Sequence, residues 1–165
     1  MDLLDIKSRL ALAVVESIFR RAGFTLTPVR QREVPPHLGR EDLPDFAARR
    51  GPSEGKPPAE PARLVEVRYR LDLAHYLAIE GQRGSRSVFS QAKRRWPGLT
   101  FVFVTDHPAR GRSCFQALDL EGWRGEENAS VIDLAGHPGL DIYRQNVEEH
   151  EALLRRMFAL LTGSP

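Results

Sequence analysis

One cysteine, Cys114, in 165 residues excludes an intramolecular disulfide framework and leaves no thiolate cage for a metal. No apolar run approaches the roughly 20 residues needed to span a bilayer, and the start of the chain lacks the positive stretch of a secretory signal. The expectation is a soluble, untargeted, cytoplasmic protein that meets no membrane. No GxxxxGK loop is present, so no nucleotide cofactor is expected. The five histidines show no paired metal-ligand spacing, and His107-Pro108 and His137-Pro138 read as turns. The formal net charge of +2 is too small to announce a polyanionic partner.

The distribution of charge along the chain is uneven. From Arg83 to Arg112 there are seven Lys/Arg (Arg83, Arg86, Lys93, Arg94, Arg95, Arg110, Arg112) against Asp106 alone, whereas Leu118 to Glu151 holds nine acids against Arg124 and Arg144. The first segment suits phosphates and the second repels them. At 41% hydrophobic, the chain has the length and composition of one domain, 1–165, able to bury its own core.

Leu10, Val14 and Ile18 repeat every four residues and predict a helix over Asp5 to Ala22, stopped by Gly23. Strands are predicted at Phe24 to Val29, Leu43 to Ala48 and Ala62 to Leu71. A turn is predicted at Pro35 and Pro36. A mobile Pro/Gly loop is predicted over 50–61, with four prolines and two glycines between Gly51 and Pro61. Asp72 to Glu80 suits a short helix. Ser85 or Ser87 can cap the next one, whose stripe is Val88, Phe89, Ala92 and Trp96. LTFVFV at Leu99 to Val104 is apolar on both faces, as in a strand covered by helices on both sides. Further strands are predicted at Ser113 to Leu120, with Cys114 in the core, and at Ser130 to Leu134. A last helix is predicted from about Leu140 to Leu161, carrying Tyr143, Val147, Leu154, Met157, Phe158 and Leu161 on one side. This order predicts an α/β fold with a mixed central sheet flanked by helices.

In the strand ARLVEVRYRL, alternation sends Val65, Val67 and Tyr69 one way and Leu64, Glu66 and Arg68 the other. A carboxylate and a cation thus stand side by side, and Asp45 precedes Glu66 by 21 residues. Pro44-Asp45 followed by Glu66-Val67-Arg68, with Glu16 on the first helix and Gln91 on the helix after the motif strand, resembles the PD-(D/E)xK nuclease superfamily. That superfamily has the restriction-endonuclease-like fold and includes archaeal-type Holliday junction resolvases.

The resemblance implies an Mg²⁺-dependent DNA endonuclease, with Mn²⁺ as a substitute, acting on branched or otherwise structured DNA. Phosphodiester hydrolysis needs neutralised charge on the scissile group and hydroxide at neutral pH, which hard oxygen ligands holding Mg²⁺ supply. Asp45 and Glu66 would be direct ligands, the Val67 carbonyl a third, and Glu16 a contributor through water. Arg68 departs from the usual lysine: its guanidinium stays charged, so it can orient water or stabilise the developing oxyanion but not take a proton. Gln91 and Arg95 are expected to lean toward the Glu66 face. Arg86, Lys93, Arg94, Arg95, Arg110 and Arg112 are expected to contact the DNA backbone. Two-stranded DNA implies a homodimer with one site for each strand. The alternatives are a nuclease fold without catalysis, serving as a DNA-binding or assembly subunit, and an interaction domain whose acidic half docks a basic partner.

Overall fold

Helix α1 (Leu3–Arg21) forms on the four-residue apolar repeat. Asp2 caps it by accepting from the Asp5 backbone N–H at 2.8 Å, and Gly23, at φ +90°, lets the chain leave it without strain. The computed structural model describes residues 2–29, 43–51, 61–125 and 129–163. The Pro35-Pro36 turn and residues 52–60 of the Pro/Gly loop lie outside them.

Among the described residues, six strands form one sheet in chain order: β1 (Phe24–Pro28), β2 (Phe46–Arg50), β3 (Arg63–Tyr69), β4 (Leu99–Val104), β5 (Phe115–Asp119) and β6 (Ile132–Asp133). Every neighbouring pair is antiparallel except β3 and β4. The parallel pair requires a crossover, which α2 (Leu73–Gln82), a 3₁₀ turn at Gly84–Arg86 and α3 (Val88–Arg95) provide. Asp72 caps α2 and Ser87 caps α3, each by accepting a backbone N–H three residues on.

Helices cover both faces, so the fold is a mixed α/β sheet of the class expected. On one side α1 and α4 (Arg144–Thr162) bury Val15, Ile18, Phe19, Leu154 and Phe158 against Val65, Tyr69, Val102 and Val104. On the other, α2 and α3 bury Leu73 and Phe89 against Leu99, Phe101, Phe103 and Trp123. β4 lies between both cores, and all six of its residues are buried. Cys114 is fully buried. Among the described residues, no helix is long and apolar enough to cross a membrane.

Two boundaries differ from the sequence reading by three residues or more. β2 starts at Phe46, not Leu43, because its register pairs Phe46 with Val65 and its far end, Arg50, with Phe24. Asp45 is left just ahead of the strand, yet its N–H donates to the Val65 carbonyl at 2.9 Å and its carbonyl accepts the Val29 N–H at 3.3 Å. α4 starts at Arg144, not Leu140: Leu140 and Ile142 are buried in irregular chain, and Asp141 between them has φ +46°, which a right-handed helix does not admit. Tyr143, expected on the apolar side, is instead the N-cap residue and 82% exposed.

Candidate functional site

The alternation of β3 divides its side chains as expected. Val65 and Tyr69 enter the α1/α4 core, while Arg68 lies over the Phe101 ring on the α2/α3 side, 5.4 Å from its centroid. Glu66, on the same side and 9% exposed, accepts from Arg68 Nε at 2.6 Å and forms a close ion pair with the same guanidinium.

The β2–β3 ladder ends at Phe46 and Val65. Past that point Asp45 takes over the edge of β3: its Oδ2 accepts the Val67 N–H at 2.7 Å. In an extended strand a residue's N–H and C=O share one edge, so the Val67 carbonyl lies along the edge that Asp45 occupies.

Electrostatics tie these groups together. Burial pushes the Asp45 carboxyl above its ordinary value; the Val67 N–H and the Arg68 charge oppose this, and the Glu16 charge adds to it. Burial likewise pushes Glu66 up, against Arg68, with the Asp45 charge adding to the rise. For Arg68, burial disfavours the charge, but Glu66 and Tyr76 together more than offset it and the guanidinium is held above its ordinary value. Glu16, half-buried on α1, pairs with Arg20 at 3.2 Å.

Two carboxylates that burial keeps above their ordinary range, with the Glu16 charge acting on one and the single cation Arg68 acting on both, form a site short of positive charge. Oxygen donors with that deficit fit a hard divalent cation, and Mg²⁺ commonly takes one or two carboxylates and fills the rest of its shell with water and substrate. Among the described residues, no three His, Cys, Asp or Glu side chains stand so as to hold a metal ion. The fit therefore rests on Asp45, Glu66 and backbone oxygen.

The remaining site residues make contacts of their own. Gln91, on the exposed flank of α3, donates its amide to the Arg86 carbonyl at 3.1 Å, so its donor serves its own helix start rather than the carboxylates. Arg86, Arg95 and Arg110 are exposed. Lys93 donates to the Trp123 carbonyl and Arg94 to the Ser85 carbonyl. Arg112 is committed structurally: it donates to Asp133 Oδ1 and to the Val131 carbonyl, both at 2.9 Å, tying the loop before β5 to β6.

Several buried or part-buried polar groupings escaped the sequence reading. Lys7 donates to Asp106 at 2.8 Å and to the Tyr69 hydroxyl at 3.2 Å; its spacing with Ala11, Val14 and Ile18 puts a lysine in an apolar stripe, a signal that was there to read. Glu80, 3% exposed, accepts the Val88 N–H at the start of α3 at 2.8 Å. Asp119 accepts from Thr100 and Arg63. It also accepts from His137 Nε2, because His137 Nδ1 is taken up by the Gly139 N–H.

Comparison of the chain with protein-family models, with curated proteins and with solved structures finds no match.

The acids make opposite demands on pH. Asp45 and Glu66 have folded-state values raised by burial, so the stability linked to them is present below the ordinary carboxylate range and is lost as pH rises through the raised values. Burial alone would raise Asp106 and Asp119 too, but hydrogen bonds from Lys7 and Tyr69, and from His137 and Thr100, outweigh it. Their contribution is present above the ordinary range and is lost as pH falls through the lowered values. Denaturant midpoints measured against pH in metal-free buffer should peak at mildly acid pH. Asp45→Asn, which removes one raised carboxyl and its repulsion with Glu16 and Glu66, should flatten the fall above the peak and stabilise the neutral-pH protein by about 1 kcal/mol. An unchanged or steeper fall in that variant would show that Asp45 carries no electrostatic strain.

Proposed function

We propose that the chain is a divalent-metal-dependent DNA endonuclease of the PD-(D/E)xK type, acting on branched or otherwise structured DNA. The observation that carries this reading is the pair of carboxylates raised by burial beside β3, half-buried Asp45 held to the Val67 N–H and buried Glu66 held to Arg68. A Mg²⁺ or Mn²⁺ ion bound by Asp45, Glu66 and the Val67 carbonyl, with Glu16 reached through water, would neutralise charge at the scissile phosphodiester and activate water.

The chain's own groups then have distinct tasks. Glu66 would hold the metal in place of its ion pair with Arg68. The Arg68 guanidinium would then be available to a phosphate oxygen, where it could stabilise developing negative charge without giving up its proton. Arg86, Lys93, Arg94, Arg95 and Arg110 supply sequence-independent backbone contacts. A two-fold homodimer would present one site to each strand.

A second reading is favoured by a specific observation: Glu66 is already neutralised by Arg68, as in a fold that binds DNA and has lost catalysis. The test is cleavage of supercoiled plasmid and of a synthetic four-way junction with Mg²⁺ or Mn²⁺, alongside calorimetric titration of Mn²⁺ into the protein. Metal-dependent cleavage supports the nuclease. DNA binding with neither cleavage nor Mn²⁺ heat assigns the binding role.

A further inference from the structure

Away from the carboxylates, an open cleft of about 400 Å³ is lined by Ser90, Lys93, Arg94, Trp123, Arg124 and Gly125. Three of these six residues are cationic, and they come from two distant parts of the chain: Lys93 and Arg94 from the basic α3, and Arg124 from the segment otherwise rich in acids. The fold sets that arginine beside the basic helix. The Lys93 ammonium is drawn to the cleft by donating to the Trp123 carbonyl, and Arg94 donates to the Ser85 carbonyl at 3.3 Å. A carbonyl accepts a hydrogen bond without neutralising the cation's charge.

A second, independent observation concerns the cleft's wall. Trp123 is 8% exposed, packed on Phe89 with ring centroids 6.0 Å apart, and its indole N–H is buried with no hydrogen-bond partner. An unsatisfied buried donor costs about 1–3 kcal/mol, a cost that an anionic acceptor reaching the indole edge removes. The cleft also lies on the Glu66 face of the sheet, because Phe89 packs on Phe101 at 5.4 Å and Arg68 lies over that same ring.

We infer that this cleft is a phosphate site that seats a phosphodiester of a nucleic-acid backbone, with Lys93, Arg94 and Arg124 supplying the charge and Trp123 a neutral donor. A phosphate group meets all the demands at once: it is anionic, it carries several acceptor oxygens, and in a polymer its neighbours continue along α3. The inference shares a ligand class with the proposed nuclease but none of its chemistry. Its test is therefore run in EDTA, where loss of cleavage has no bearing on it.

The chain has two tryptophans, so ¹⁵N-tryptophan labelling gives two indole resonances, and Trp123→Phe assigns them. Titration with a short DNA duplex should move the Trp123 resonance, and inorganic phosphate should move it the same way at higher concentration. In the Lys93→Gln/Arg94→Gln variant, duplex affinity should fall about tenfold or more, and the slope of log K against log salt should shrink by about 2, one for each lost contact. An unchanged Trp96 resonance in that variant shows that the fold is intact, and Arg124→Gln should give half the change in slope. Movement with phosphate but not with duplex identifies a small-anion site and overturns the inference. So does duplex binding whose salt slope is unaltered by the charge removals.

Discussion

Glu66→Gln should lose metal-dependent DNA cleavage by about three orders of magnitude while the protein stays folded. Glutamine keeps an oxygen acceptor for the Arg68 guanidinium, so the buried cation is not stranded; alanine would strand it at a cost of several kcal/mol and confuse the readings. What glutamine cannot supply is the charge. Losing a ligand that contributes about 4 kcal/mol of transition-state stabilisation lowers the rate about a thousandfold. Single-turnover cleavage, with Mn²⁺ affinity measured in parallel, checks this. Asp45→Asn should lose cleavage similarly while gaining stability, since a residue kept for catalysis is often one that the fold would rather not hold charged. If both variants cleave at the wild-type rate, the carboxylates are structural. Arg68→Lys separates the two readings: a lysine can lower its pKa in this partly desolvated site and so assist in deprotonating water, and a gain in rate would identify Arg68 as the limit on catalysis.

What could be read from the chain followed local physics. The alternation of Val65, Glu66, Val67, Arg68 and Tyr69 survives in the structure because a strand has no other way to divide its side chains. The doubly apolar run of β4 is buried as expected, and Gly23 and Ser87 sit where helix ends need them. Partner choice over distance was not legible. The start of β2 depends on which residue of β3 meets Phe46, and no local pattern encodes that register. The helical wheel put Gln91 toward the carboxylates, but its side chain found a nearer acceptor in the Arg86 carbonyl. Arg112 reads as a loop cation open to substrate until the fold delivers Asp133 to it from 21 positions away. The turn at Asp141 takes a positive φ without glycine, so nothing in its composition announced the late start of α4.

Lys7→Met should lower the melting temperature by about 4–8 °C, corresponding to about 2 kcal/mol. The side chains of Lys7 and Asp106 are 9% and 12% exposed and meet at 2.8 Å. Tyr69 bridges them, accepting from Lys7 and donating to the other oxygen of Asp106 at 2.8 Å. The ammonium also lies 4.8 Å from the Phe158 ring centroid, so its stem and head both fill space between α1 and α4. Methionine retains most of that volume but leaves the Asp106 carboxylate with the tyrosine hydroxyl as its remaining side-chain donor of the two, and the charge loses its counterion. Lys7→Met/Asp106→Asn should recover much of the loss, and a double-mutant cycle in thermal unfolding measures the coupling directly. The cost should also shrink in acid as Asp106 takes up a proton, because its lowered pKa in the wild type depends on hydrogen bonds from Lys7 and Tyr69 that outweigh its burial. A shift under 1 °C, with no coupling, would place the pair with ordinary surface ion pairs. The consequence reaches the candidate site through the backbone: the contact fastens the first turns of α1, which carries Glu16 farther along, to the end of β3, which carries Glu66 and Arg68. Loosening it should therefore weaken Mn²⁺ binding as well as stability, although Lys7 touches none of the proposed ligands.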